Sequence, residues 1–206
     1  MWLWHVVASF LEISLYYYLV PRPARYSVDE LLDAAVVLLA EHGPAAVSMS
    51  AVARAVGAPS GSVYHRFPTR AALCGELWMR TEERFQGGFA DALTPPGDTT
   101  ERCVAAARFA VHWCREHPVE AQVLLAGAEA LDRAAWPEPI VERRETLHRT
   151  VNRLLGELDV DLDRLSAALI DVPYAIVRRH LVAGQRIPEA ADAIVEDCAR
   201  ALVSGG

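Results

Sequence analysis

The sequence predicts an all-α fold, and two observations support this. Apolar residues recur at helical spacing in one segment after another from residue 27 to the end, and Gly or Pro residues interrupt that spacing at intervals. The 206 residues, 52% of them apolar, are enough to bury a sizeable core. We expect a unit of three helices over residues 27–75 and a larger helical unit over residues 76–206.

The first helix is predicted to begin after Ser27, a residue type that caps helices. Asp29 and Glu30 would lie in the first turn, where the helix dipole favours negative charge. Gly43 and Pro44 would end this helix. The apolar residues between these limits have the spacing of one buried face: Val28, Leu31, Leu32, Ala35, Val36, Leu39 and Ala40.

The residues that follow predict two short helices joined by a tight turn. Ser48 can cap the first helix, Gly57 can adopt the left-handed conformation that ends it, and Ser60 can cap the second. Ala53 precedes the turn glycine by four residues, and Val63 follows it by six. A small residue, a turn glycine and an aliphatic residue at this spacing are typical of a helix-turn-helix.

The charge pattern favours contact between this segment and nucleic acid. The net charge of −7 excludes a uniformly basic protein. Residues 42–75, however, contain no Asp or Glu and carry Arg54, Arg66 and Arg70. This stretch of +3 coincides with the predicted helix-turn-helix and suits phosphate binding. A short helical hairpin with incidental charge is the alternative.

The second short helix can be phased from its buried aliphatic residue. The residues that then face outward are Gly61, Ser62, Tyr64 and His65, with Arg66 ending the arc. A glycine lets the backbone approach a groove closely, Ser and His can contact base edges or phosphates, and a Tyr hydroxyl can donate to a phosphate.

The end of the helix-turn-helix carries a more specific pattern. Tyr64 and Phe67 lie three residues apart, and Thr69, the basic Arg70 and a Leu73 that opens the next helix follow them. This pattern resembles the DNA-binding segment of the TetR family of bacterial transcriptional regulators. The resemblance covers the whole smaller unit, with Arg at position 70, where Lys is usual, and Ser at position 48, where Thr is commoner.

The resemblance implies a homodimer whose three N-terminal helices bind the DNA major groove and whose C-terminal domain binds a small-molecule effector. The implied DNA contacts are Ser48, Ser60, Ser62, Tyr64, His65 and Arg70, to which the outward arc adds Gly61 and Arg66. The residues with implied structural roles are Ala53, Gly57, Val63, Phe67 and Leu73.

The larger unit is predicted to contain helices over residues 69–93, 99–116, 118–132, 137–158, 161–184 and 188–203, with a kink at Pro173. Residues 94–206 carry 13 Arg against 18 acidic residues, so we expect no nucleic-acid binding there. Apolar residues of the last two helices could form half of a four-helix dimer interface or close the monomer core. They are Leu162, Leu165, Leu169, Ile176, Val177, Leu181, Ile187, Ala190, Ile194, Ala199 and Leu202.

Polar and aromatic residues of the middle helices predict a pocket for a small aromatic or amphipathic effector. The residues concerned are Phe109, His112, Trp113, Glu116, Trp136, His148 and Tyr174, although either tryptophan could belong to the core instead. His112 and Glu116 are four residues apart and could hold two metal ligands, but no third ligand has suitable spacing. We therefore predict no metal and no other cofactor.

The first 26 residues differ from the rest of the chain. Sixteen of residues 1–20 are apolar or aromatic, a length that suits a membrane span, but Glu12 lies in the middle of the run and no basic residue precedes it. Three interpretations stay open: an extension from a start codon set too far upstream, an extra helix packed on the fold, or a membrane anchor followed by Arg22 and Arg25.

The predicted function is a cytoplasmic, DNA-binding transcriptional repressor that a small molecule releases from its operator. The four cysteines lack the spacing of a metal site, which indicates reduced and mostly buried thiols. A membrane-tethered regulator is one alternative. A small helical enzyme using His112, Glu116 and His148 is another, but the sequence contains no nucleophile elbow, phosphate loop, dinucleotide fingerprint or zinc-protease motif.

Overall fold

A computed structural model of the chain describes residues 26–204, and every regular element within that range is helical. The all-α prediction is confirmed for these residues. The three interpretations of the N-terminal extension, with Glu12, Arg22 and Arg25, concern residues outside the described range. Between residues 26 and 204, no helix is long and apolar enough to cross a membrane.

The N-terminal unit has the predicted layout of three helices: α1 (Val28–His42), α2 (Met49–Ala55) and α3 (Ser60–Arg66). The Ser27 hydroxyl accepts a hydrogen bond from the Glu30 amide at 3.1 Å, and the Glu30 carboxylate accepts one from the Ser27 amide at 2.7 Å. This reciprocal pair is a capping box. Gly43 and Gly57 have φ of 80° and 68°, so both helix ends use the glycines that the sequence indicated.

The two serines of the helix-turn-helix behave differently from each other. Ser48 caps α2, because its hydroxyl accepts a hydrogen bond from the Ala51 amide at 3.2 Å. The prediction that Ser60 caps α3 is wrong, since Pro59 is the N-cap and Ser60 is the first helical residue. The proline ring fixes the extended entry one residue earlier than expected. The exposed Ser60 hydroxyl is therefore not used as a cap.

The larger unit contains α4 (Arg70–Leu93), α5 (Thr99–Glu116), α6 (Pro118–Ala126), α7 (Glu138–Gly156), α8 (Leu162–Ser166), α9 (Val172–Val182) and α10 (Ala190–Val203). The helix predicted over 118–132 ends early because Gly127 adopts φ of 79°. Two short 3-10 turns, Ala128–Leu131 and Arg133–Ala135, follow it. Between them Asp132 has a left-handed backbone with φ of 60°.

The helix predicted over 161–184, with a kink at Pro173, contains a widened turn just before the proline. A π-helical turn over Ala167–Asp171 separates α8 from α9, and Pro173 lies in the first turn of α9. Proline has no amide hydrogen and crowds the carbonyl four residues earlier, so the regular α-helical ladder cannot continue through it.

Two apolar cores organise the molecule. The first unites α1–α3 and the start of α4 with residues far along the chain, among them Val123, Leu131, Trp136 and Ile140. The second packs α5 against α10, α9 and the second half of α4. The boundary predicted at residue 75 therefore falls inside α4, and the first core extends across it.

Candidate nucleic-acid interface and ligand cavity

Helix α3 presents a polar face to solvent because its apolar face is anchored in the first core. Val63 is fully buried and Phe67, just after the helix, is nearly so. On the other side Tyr64 is 55% exposed, and His65 and Arg66 are exposed as well. Gly61 is also exposed, whereas Ser62 is half-buried.

Two of the three arginines in the acid-free stretch are available to an outside partner. Arg54 and Arg66 are exposed, and within residues 26–204 neither forms a salt bridge or a side-chain hydrogen bond. Unpaired guanidinium groups beside an exposed helix face suit contact with the phosphates of a nucleic acid.

The third arginine is engaged within the protein. The guanidinium of Arg70 donates to the carbonyl of Val47 at 2.7 Å and to that of Pro44 at 2.8 Å. It also forms an ion pair with Asp132, which lies between the two 3-10 turns of the larger unit. Its side chain is 31% exposed. Arg70 thus joins the α1–α2 connection to the C-terminal half, and a phosphate contact by this residue stays a prediction.

A cavity of about 610 Å³ lies in the larger unit between α4, α7 and the α8–α9 region. Its walls are mainly aliphatic and aromatic, with Phe85 and Phe89 from α4 and a series of leucines from α6–α9. The polar side chains that line it are Gln86, His148, Asn152, Ser166 and Tyr174. A concave, mostly apolar site with a few polar groups is the usual form of a small-molecule site.

The residues predicted for the effector pocket divide between this cavity and the rest of the fold. His148 and Tyr174 line the cavity, whereas the other five residues do not. Ala110 and Cys114 line the cavity from α5. His112 and Glu116 lie on the opposite face of this helix, which is exposed. The five residues outside are Phe109, packed on α4; His112 and Glu116, exposed; Trp113, buried against Phe85; and Trp136, in the first core.

A buried carboxylate, which the sequence did not predict, lies beside the cavity. Glu82 on α4 is 5% exposed and accepts hydrogen bonds from Trp78 Nε1 at 2.7 Å, Arg144 Nε at 3.1 Å and His148 Nε2 at 2.9 Å. Gln86 Nε2 approaches the same carboxylate at 3.4 Å. The sequence contains one indication of this site: an acidic residue, Glu82, lies on the same helix face as the apolar Trp78, Phe85 and Phe89.

The candidate dimer residues divide between the core and the surface. Most of them, including Leu165, Leu169, Val177, Ile187 and Ala199, are buried within the monomer. A smaller set of apolar residues in this part of the chain is exposed to solvent, namely Leu162, Ile170, Tyr174, Val182, Ala190 and Ile194.

The buried thiols are expected to resist alkylation. Burial raises the pKa of Cys114, which lines the cavity, to about 12 and that of Cys74 to about 11, and it also raises the pKa of Cys103. Because the thiolate is the nucleophile, iodoacetamide at pH 8 should modify at most one thiol per native chain, the half-buried Cys198. Mass spectrometry should find four modified cysteines after unfolding in denaturant, and rapid native labelling of Cys114 would contradict this packing.

The fold and the exposed, basic α3 surface define a helix-turn-helix DNA-binding protein with a large helical C-terminal unit. Residues 31–77 match the family model for bacterial regulatory proteins of the tetR family. The match covers the helix-turn-helix unit, and over these residues it confirms the resemblance to this family of transcriptional regulators that the sequence indicated. No curated protein sequence matches the chain significantly.

Solved structures share the fold over nearly the whole described range. A TetR family transcription regulator from Marinobacter aquaeolei VT8 is 18% identical, with a TM-score of 0.68, covering 85% of this chain and 94% of that one. A TetR-like regulator from Rhodococcus sp. RHA1 is 23% identical, with a TM-score of 0.65, covering 91% and 100%. The ketosteroid transcriptional regulator KstR2 of Mycobacterium tuberculosis is 20% identical, with a TM-score of 0.61, covering 88% and 95%.

Proposed function

We propose that this protein is a dimeric transcriptional repressor that leaves its operator when a small molecule occupies the α4–α9 cavity. The observation that carries the proposal is the exposed face of α3, with Tyr64, His65 and Arg66 opposite the buried Val63. The proposal locates the protein in the cytoplasm, where the operator is.

The α3 face suits DNA by its shape and its hydrogen-bonding groups. Gly61 leaves room for close approach, because a Cβ there would meet no atom within 4 Å among the described residues. His65 and Ser62 would contact base edges or phosphates, and Tyr64 would donate to a phosphate. The hydroxyls of Ser48 and Ser60 and the guanidinium of Arg66 would add backbone contacts. Few of these groups can form two hydrogen bonds to one base edge, so the affinity for DNA would depend strongly on phosphate contacts.

Dimerisation would place two such faces on successive major grooves of a nearly palindromic site. The exposed apolar residues Tyr174, Val182 and Ile194 on α9 and α10 support an interface there. Two helices from each subunit would form a four-helix contact, an arrangement that is common in helical homodimers.

Helix α4 connects the cavity to the DNA-binding unit. Phe85, Gln86 and Phe89 line the cavity, and Arg70, at the start of the same helix, bonds the α1–α2 connection. A ligand that binds better to a conformation with a different separation of the α3 helices would shift the population away from the DNA-bound form.

The proposal is tested by fluorescence anisotropy of the full chain with labelled intergenic DNA adjacent to its gene, across a salt series. We expect binding that weakens steeply with salt and is stronger than on random DNA. Tyr64→Ala should lose about tenfold in affinity, as expected for one hydrogen bond to a charged group. Its melting temperature should stay unchanged because Tyr64 is exposed.

A matched pair of arginine substitutions controls for charge. Arg66 and Arg186 are both exposed and without a salt bridge among the described residues. Arg66→Ala should reduce the slope of log K against log salt concentration by the contribution of about one phosphate contact. Arg186→Ala should leave this slope unchanged. Equal, weak binding to operator and random DNA by every variant would reject the proposed reading surface.

A further inference from the structure

We infer that the cavity takes a neutral, largely hydrocarbon molecule that carries a hydroxyl group, and that this hydroxyl donates a hydrogen bond to Gln86 Oε1. The inference deepens the proposed function, on which it rests in treating this molecule as the effector. Two observations carry it: the absence of charge in most of the cavity wall and one unsatisfied acceptor.

The wall of the cavity is unsuited to an ionised ligand. None of the described residues that line it is an Arg, Asp or Glu, and His148 is already held by the Glu82 carboxylate at 2.9 Å. Phe85, Phe89 and Leu169 are typical of the remaining surface. A charge placed there would lose its hydration without gaining an opposite charge, whereas a hydrocarbon would be stabilised.

Gln86 supplies the polar contact. Its side-chain Nε2 lies 3.4 Å from the Glu82 carboxylate. With the amide rotated by 180°, the Gln86 oxygen would face a carboxylate oxygen, and two acceptors would repel each other. The contact with Glu82 therefore fixes the orientation of the amide. Gln86 Oε1 is then buried and has no hydrogen-bond partner within residues 26–204. Buried acceptors are nearly always satisfied, so this atom calls for a donor on the ligand.

The same geometry argues against a carboxylate ligand. Gln86 Oε1 is an acceptor and would repel an anion, and the Glu82 carboxylate lies next to the nitrogen of the same amide. The guanidinium of Arg144 does not line the cavity, and its Nε donates to Glu82 at 3.1 Å. A hydroxyl avoids these conflicts, because it donates to Gln86 and carries no charge.

Three probes that differ only in their polar end test the inference by titration calorimetry on the full-length protein: 1-decanol, decyl methyl ether and decanoate. The ether accepts but cannot donate, and decanoate is charged at neutral pH. We expect 1-decanol to bind at least about tenfold more tightly than either of the others, the effect of one buried hydrogen bond.

Gln86→Leu should weaken 1-decanol binding about tenfold and leave the ether unchanged, because it removes the acceptor and keeps the side-chain volume nearly constant. Gln185→Leu is the matched control at an exposed loop position outside the cavity wall and should change neither. Should the Gln86 variant fail to fold by circular dichroism, the three probes on the wild-type protein decide alone.

Failure to bind 1-decanol, equal binding of decanoate or of the ether, or an equal loss of all probes in Gln86→Leu would overturn the inference. These titrations contain no DNA. A protein that binds the alcohol as expected but shows no Tyr64-dependent operator binding would reject the proposed function and leave the ligand class standing.

Discussion

Alanine at Gly88 is expected to lower the free energy of unfolding by about 1–2 kcal/mol, whereas alanine at the adjacent Gly87 should raise it by up to about 1 kcal/mol. A Cβ on Gly88 would overlap Phe109 Cζ and Cε2, where α4 crosses α5. A Cβ on Gly87 would meet nothing within 4 Å among the described residues. Both changes gain the same helix propensity, so their difference isolates the steric conflict.

Phe109 has limited room to move away, because its ring packs on Phe85 with centroids 5.8 Å apart. Chemical denaturation at one fixed protein concentration measures the effect, since an oligomer's stability depends on concentration. In a Phe109→Ala background the Gly88 substitution should become as favourable as the Gly87 one. A cost that persists without the Phe109 ring would show that the conflict lies elsewhere.

Local signals in the sequence were sufficient to predict most helix limits. The helix predicted over 99–116 matches Thr99–Glu116, since Asp98 caps its start and Pro118 follows its end. The helix over 118–132 was too long because Gly127 could not be distinguished from a glycine tolerated inside a helix. Its left-handed backbone, with φ of 79°, ends α6 at Ala126.

The cavity was harder to predict because its walls come from helices that are distant in sequence. Choosing residues by type favoured His112 and Glu116, which share one face of α5, whereas helical phase places Ala110 and Cys114 at the cavity. The acceptor Gln86 becomes notable only when its amide is oriented by another buried side chain. Such information lies in tertiary contacts and not in spacing along the chain.

Arg70 shows the same limit, because its three partners are 23, 26 and 62 residues away. Its sequence pattern indicated a phosphate contact, and its geometry adds a role in holding the DNA-binding unit to the rest of the protein. Arg70→Ala should lower the free energy of unfolding by about 2–3 kcal/mol, because two hydrogen bonds from a charged donor are lost. The half-exposed pair with Asp132 should contribute less than about 1 kcal/mol of this.

Two further variants separate the roles of Arg70. Asp132→Asn removes only the ion pair and keeps a side chain that tolerates the left-handed backbone, so stability should change by less than about 1 kcal/mol. Arg70→Lys keeps the positive charge but lacks the planar fork that reaches both carbonyls. It should therefore retain most of the operator affinity while losing stability, measured by anisotropy and by denaturation of the same preparation.

The comparison with Tyr64→Ala makes this test decisive, since that variant should lose affinity at unchanged stability. If Arg70→Ala also weakens DNA binding without any loss of stability, then Arg70 is a phosphate contact alone and its bonds to Pro44 and Val47 contribute little. A loss of both properties instead means that the orientation of α2 and α3 depends on the guanidinium. In that case movements of α4 around the cavity have a direct physical route to the DNA-binding surface.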